Sequence, residues 1–113
     1  MSTFGPGWPD VAHVLVIPRL HVSQVDALSD EVTAGLMKAV VRAAYVVRAE
    51  FNPAGISVWQ SNGEAAGQEV QDVHMHVLTR RRGDGLLRVY PSAPAKPSRQ
   101  ERAALADRLR ASL

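Results

Sequence analysis

The spacing of apolar residues along the chain predicts alternating strands and helices. A near-continuous apolar run over residues 11–17 predicts a strand that is covered on both faces. Apolar residues recur at helical spacing from Val32 to Val47, after Ser29 as N-cap, and predict an amphipathic helix ending near Glu50. Further strands are predicted over residues 56–60, 70–79 and 86–90.

The end of the chain predicts one more helix. Ser98 and Glu101 fit a capping box, and Leu105, Leu109 and Leu113 follow one helical turn apart. The order of strand, long helix, strands and helix favours an α+β fold, an antiparallel sheet with one long central helix and a C-terminal helix. With 113 residues and no internal repeat, we expect a single domain over residues 1–113.

Composition excludes several classes of protein. The chain contains no cysteine, which rules out disulfides, thiolate metal sites and a cysteine nucleophile. No apolar run approaches the ~20 residues of a membrane span, and the start does not resemble a signal peptide, so we expect a cytoplasmic protein with no membrane partner. Basic residues concentrate from Arg80–Arg82 onward, where they can attract phosphates or form a solvated loop. Without interleaved aromatic residues or a recognition motif, we expect no nucleic acid polymer as partner.

Polar and apolar residues alternate between Asp72 and Val77. In a β-strand, Asp72, His74 and His76 would share one face, with neighbours about 7 Å apart. Such a row can hold a metal, hold a phosphate or supply a histidine nucleophile. The polar face of an ordinary edge strand would explain the alternation but not the choice of residues.

The loop before this row of residues indicates which of these three kinds of site is favoured. Gly63 and Gly67 let the backbone approach a ligand, and exposed N–H groups in such a loop can hold an anion. Gln68 offers an amide donor to a phosphoryl or leaving-group oxygen. A plain flexible loop is the alternative. A phosphate-binding loop leading into a histidine strand suggests transfer of a phosphoryl or nucleotidyl group to a neutral imidazole, followed by hydrolysis.

Three segments together resemble the histidine-triad (HIT) superfamily of nucleotide hydrolases and transferases. Residues 67–78 resemble its signature, a Gly-Gln dipeptide followed by His-x-His-x-His with apolar residues between. Residues 13–21 resemble its strand that opens with His and ends in Ile-Pro-Lys/Arg-x-His. Residues 61–68 resemble its Asn-x-Gly-x-x-x-Gly-Gln loop. The resemblance covers roughly residues 11–82.

The resemblance implies a HIT-like fold, a homodimer whose two sheets join, and no cofactor or metal. By position, His74 would be the nucleophile, His76 would contact the phosphate and Gln68 would donate to the leaving group. Substrate-binding roles fall on His13, Ser61, Asn62, Gly67 and Asp72. The substrates would be nucleoside phosphoramidates or dinucleoside polyphosphates. His13 can equally be structural, and His21 is interpreted as a surface or packing residue.

The chain departs from the family pattern at three places. Asp72 stands where the first triad histidine belongs, and Ser61 stands where Asn or Gln is usual. Only ten residues precede the first predicted strand, so the family's N-terminal helix and hairpin are expected to be missing. The negative charge of Asp72 would repel an incoming phosphate, which predicts weak or altered activity.

Two alternatives stay open at this point. A shortened HIT-like domain would bind nucleotides with little or no turnover. A metal-dependent enzyme would instead use Asp72, His74 and His76, with His13 or His21, as ligands for zinc or iron. The long helix argues against the metal enzyme, because the β-barrel folds that use this pattern have many short strands.

Overall fold

The computed structural model of the chain describes residues 2–3, 12–86, 90 and 92–113. The predicted strand over 86–90 lies outside these residues except at its two ends. No helix in the described ranges is long and apolar enough to cross a membrane. The elements are the strands β1 (Ser2–Thr3), β2 (Ala12–Val16), β3 (Gly55–Trp59) and β4 (Met75–Arg80), and the helices α1 (Asp30–Phe51) and α2 (Arg99–Ala111), with 3₁₀ turns at Val25–Ala27 and Glu64–Ala66.

The four strands form one antiparallel sheet in the order β1-β2-β4-β3. β4 lies between β2 and β3, and His76 is therefore paired with Leu15 on one side and with Trp59 on the other. The antiparallel sheet, the long helix and the C-terminal helix confirm the predicted α+β fold.

Helix α1 begins and ends as its sequence predicts. The Ser29 hydroxyl accepts a hydrogen bond from the Val32 N–H, and Asn52 closes the helix in the left-handed conformation. Val40 and Val47 are buried against Ala12 of β2 and Val77 of β4. This packing covers one face of the sheet and leaves the other face to carry the site.

The predicted strand over 70–79 is wrong at its beginning. The ladder starts at Met75, and residues 70–72 form a bend. The Val73 N–H donates to the Val22 carbonyl at 2.6 Å, so the chain before Met75 is tied to the segment that follows β2 instead of to the sheet. Asp72 consequently does not lie on the strand with His76.

Helix α2 has the predicted capping box at Ser98 and Glu101. None of its described side chains is buried, and Leu105 and Leu109 are more than half exposed. Its leucine stripe thus does not contribute to the core around α1.

Candidate active site

Three histidine rings and one indole meet on the sheet face opposite α1. His13 comes from β2, Trp59 from β3 and His76 from β4, and His74 directly precedes β4. The His76 ring is central: its centroid lies 5.0 Å from that of His13, 4.7 Å from that of His74 and 4.3 Å from that of Trp59. The antiparallel register brings them together, because side chains two residues apart on a strand share a face. The structure therefore unites His13, His74 and His76 from the residues predicted for the site.

His74 is held in a defined tautomer by the backbone. Its side chain is almost completely buried, and its Nδ1 atom lies 2.9 Å from the main-chain carbonyl oxygen of Asp72. Since a carbonyl can only accept, Nδ1 carries the hydrogen, and in the neutral ring Nε2 keeps a lone pair. Nε2 is therefore the nucleophilic atom that this arrangement offers.

His76 and His13 are linked ring to ring. The His13 Nε2 and His76 Nδ1 atoms are 2.7 Å apart. Burial, followed by the charges of His74 and His13, lowers the pKa of His76 to about 4, and burial followed by the charge of His74 also lowers the pKa of His13. Both rings are consequently neutral near pH 7, and the bond between them needs only one hydrogen.

The Asp72 carboxylate points to a different partner. Its Oδ2 atom lies 3.3 Å from Nδ1 of His21, and the His21 side chain is 86% exposed. His21 thus lies at the surface, and Asp72 touches the site through its backbone carbonyl. Screening by solvent makes such an exposed pair weak.

The Gln68 amide holds the loop together. Its Oε1 accepts from the Gly63 N–H at 2.6 Å, and its Nε2 donates to the carbonyls of Ser23 at 2.7 Å and Gln71 at 3.0 Å. Both amide hydrogens are therefore already engaged. Donation from Gln68 to a leaving group stays a prediction, and it requires one of these bonds to be exchanged for the substrate.

The backbone of the same loop is also satisfied internally. Gly67 adopts the left-handed conformation with φ 88°, and its N–H donates to the Glu64 carbonyl. The N–H groups of Ala66 and Gln68 both donate to the Gly63 carbonyl. The sequence suggests these N–H groups for anion binding, but in this structure they form the hydrogen bonds of the turn itself.

Asn62 ties the loop to the turn after β2. Its Oδ1 accepts from the Val25 N–H at 2.7 Å and from Gln60 Nε2 at 2.8 Å. The carbonyl of Ser61 accepts from the same Gln60 amide. Substrate binding by Ser61 and Asn62 stays a prediction.

The three arginines of the basic cluster at the end of β4, Arg80–Arg82, differ in their exposure to solvent. Arg80 pairs with Asp84 through two nitrogen atoms and also donates to the Ser57 hydroxyl and the Leu86 carbonyl. The side chain of Asp84 is only 3% exposed, and the hydrogen bond from Arg80 holds the pKa of its carboxyl well below the usual range. Arg80 therefore braces the turn, while Arg81 and Arg82 are exposed.

Trp59 is a site residue that sequence reasoning missed. Its indole is parallel to the His76 ring, with an angle of 1° between the two planes. The sequence places Trp59 near the end of the predicted strand 56–60. The alternation along that strand does not reveal which other strand lies beside it, so the contact with His76 could not be predicted.

The described residues contain no set of ligands for the metal site of the alternative prediction. Among residues 2–3, 12–86, 90 and 92–113, no three His, Asp or Glu side chains are arranged to hold a metal ion. Asp72 turns to His21, away from the row that would have made it a ligand.

The fold combines an antiparallel sheet that carries a cluster of histidine rings with the glycine loop of residues 63–67. The family model of the HIT domain matches residues 10–83, and the chain belongs to this family.

Curated relatives with established names share the same region. The chain is 40% identical over 79 residues to Protein hit of Bacillus subtilis, which covers 69% of the chain and 54% of that relative. It is 38% identical over 72 residues to a bis(5′-adenosyl)-triphosphatase of Dictyostelium discoideum, covering 64% of the chain and 48% of the relative. It is 35% identical over 86 residues to an adenosine 5′-monophosphoramidase of Schizosaccharomyces pombe, covering 75% and 62%. The chain spans about half the length of these relatives, which include hydrolases of two kinds of nucleotide.

A solved structure confirms the fold. The crystal structure of a HIT family member from Bacillus subtilis superimposes with a TM-score of 0.80 at 32% identity, over 89% of this chain and 72% of that one.

Proposed function

We propose that this chain binds a nucleotide and hydrolyses it through a nucleotidylated His74. The substrate is a nucleoside phosphoramidate or a dinucleoside polyphosphate. The named activities of the relatives support this substrate class.

One observation carries the proposal, the 2.9 Å contact between His74 Nδ1 and the Asp72 carbonyl oxygen. With the hydrogen on Nδ1, the Nε2 lone pair attacks the α-phosphorus and forms an N–P bond as the bond to the leaving group breaks. The leaving group is an amine from a phosphoramidate or a nucleoside phosphate from a dinucleoside polyphosphate, and it departs with its electron pair and takes up a proton from solvent. Water then attacks the same phosphorus and gives a proton to solvent as the N–P bond to His74 breaks, which releases the nucleoside monophosphate and restores neutral His74.

His76 stabilises the transferring group in this mechanism. A neutral ring has one N–H, and this hydrogen is on Nε2 of His76 when His13 donates from its Nε2 to His76 Nδ1. His76 Nε2 then donates to a non-bridging oxygen of the phosphoryl group, on which negative charge develops. His13 thus acts through His76.

The test is turnover and covalent capture with adenosine 5′-phosphoramidate. We expect release of adenosine monophosphate and, after acid quenching, a peptide carrying the added nucleotide at His74. His74→Asn should lose the adduct and at least about a thousandfold of the rate. The same change at the exposed His21 is the matched control, with a rate close to that of the unmodified chain. An adduct on another residue, or full activity of His74→Asn, would contradict the proposal.

Nucleotide binding with little turnover is the second candidate. The observation that favours it is Asp72 at the position of the first triad histidine. In this case adenosine monophosphate would raise the melting temperature by mass action, whereas no adduct would form on His74.

We also propose that the chain forms a homodimer. Met37, Val41 and Tyr45 form one stripe on the outer side of α1 and are 51%, 59% and 75% exposed. β3 is also an edge strand of the sheet in the described part of the chain. A second copy that covers the stripe would remove its apolar surface from water, and an edge strand such as β3 is where a second sheet could join.

A further inference from the structure

Trp59 lies flat against the ring of His76. The two centroids are 4.3 Å apart and the ring planes differ by 1°. The contact follows from the register, in which the last residue of β3 is paired with the second residue of β4. It brings an aromatic face onto a histidine that the proposed mechanism places on the phosphoryl group.

The His76 ring is restrained from three directions. Trp59 covers one ring face, His13 Nε2 holds the Nδ1 atom at 2.7 Å, and the His74 ring stands against it edge to face. Rotation of the imidazole about its Cβ–Cγ bond would break the hydrogen bond and tilt the ring out of the stack. The direction of the remaining nitrogen, Nε2, is therefore fixed before a substrate arrives.

The stack of Trp59 on His76 is not part of the hydrophobic core. The buried cluster of Ala12, Val40, Val47 and Val77 packs between the sheet and α1. Trp59 is on the other face, since its neighbour Val58 is the residue of β3 that pairs with Val77. Its removal should consequently disturb His76 much more than it disturbs the core.

We propose that Trp59 is a positioning residue, which holds His76 in the orientation that directs its Nε2 N–H to the phosphoryl oxygen. This role rests on the proposed function, because the phosphoryl group is its target. The restraint acts in the free protein, so part of it can be measured without substrate.

The experiment compares Trp59→Ala, Trp59→Phe and the neighbouring Val58→Ala as matched control. Proton NMR of the free protein follows the titration of His76 in each variant, and steady-state kinetics with adenosine 5′-phosphoramidate give kcat and KM. In Trp59→Ala, water reaches the exposed ring face, so His76 should titrate at higher pH than in the unmodified chain. We expect kcat to fall about tenfold or more with KM changed less than about twofold, because a small misplacement near the reacting atoms is costly.

A second aromatic side chain at position 59 tests whether His76 needs a flat stacking face or only the volume of Trp59. Trp59→Phe keeps an aromatic face and should restore the His76 titration and most of kcat, and Val58→Ala should leave both unchanged. If Trp59→Ala does not fold, Trp59→Leu replaces it, since leucine fills space without a flat face. Equal titration curves and equal kcat in Trp59→Leu, Trp59→Phe and the unmodified chain would overturn the inference.

The two readouts also separate this inference from the proposed function. A shifted His76 titration without turnover by the unmodified chain would support the restraint and refute the hydrolase. Turnover by the unmodified chain with unaltered kcat and titration in Trp59→Ala would refute the role of Trp59 alone.

Discussion

Nδ1 of His74 and the main-chain carbonyl oxygen of Asp72 lie 2.9 Å apart, so residue 72 orients the candidate nucleophile through its backbone. The side chain at this position is free to differ from histidine without loss of the tautomer of His74. The carboxylate of Asp72 pairs with His21 at the surface instead. What the aspartate changes is the charge beside the site.

Removing this charge should raise activity. Asp72→Asn and Asp72→His both keep the carbonyl, and we expect kcat/KM to increase about three- to tenfold, since a partly exposed charge several ångströms from the phosphate costs of the order of 1 kcal/mol. Initial rates with adenosine 5′-phosphoramidate at low and high salt measure this, and salt should shrink the difference. Glu50→Gln, a similar charge removal in the last turn of α1, is the control. Unchanged rates in both Asp72 variants would show that the carboxylate does not impede the reaction.

Stability should decrease at mildly acidic pH. The pKa of His76 is about 4 in the folded chain and 6.5 as its ordinary value, so the unfolded state binds more protons between these values. The free energy of unfolding is therefore highest above about pH 6.5 and falls as the pH is lowered toward 4, with His13 acting in the same direction. Melting temperatures from pH 8 to pH 4.5 test this. His76→Asn should show a shallower decline, and an equal slope in both proteins would assign the effect to other groups.

Gln68 should contribute to stability as well as to any chemistry. Gln68→Leu removes two hydrogen-bond donors and one acceptor, and so breaks the hydrogen bonds to Gly63, Ser23 and Gln71. We expect the free energy of unfolding to fall by about 1–3 kcal/mol, measured by urea denaturation. Gln71→Leu is the matched control, because only the backbone carbonyl of this residue takes part in the Gln68 contact. Equal stability of Gln68→Leu and the unmodified chain would contradict the view that the Gln68 side chain holds the loop together.

The outer stripe of α1 should determine the oligomeric state. Light scattering after gel filtration should give about twice 12.3 kDa for the unmodified chain. Tyr45→Asp buries a charge if the stripe is an interface, and the dissociation constant should rise about a hundredfold. Leu109→Asp on α2, a leucine 60% exposed, should leave the mass unchanged. A monomeric unmodified chain, or a dimer insensitive to Tyr45→Asp, would refute the dimer proposed through α1.

Local signals predict most of the regular structure. Ser29 and the apolar spacing that follows it give α1 within one residue at its C-terminal end, and Ser98 with Glu101 gives the start of α2. The beginning of β4 is the exception. The alternation of Asp72, Val73 and His74 continues that of the strand, but the hydrogen bond from Val73 to Val22 draws this segment away from the sheet. Such a bond joins distant residues and leaves no mark on the local pattern.

The sequence by itself determined the order of the elements, the glycine loop and the spacing that puts His74 and His76 together. These are properties of neighbouring residues, because helix and strand periodicities operate within a few positions. Only the tertiary structure decided which rings meet His76, since His13 lies 63 positions away and Trp59 reaches it through the β3–β4 register. It also decided that Asp72 turns to His21 while its carbonyl orients His74. Register and loop contacts depend on how whole faces pack, and no local periodicity specifies them.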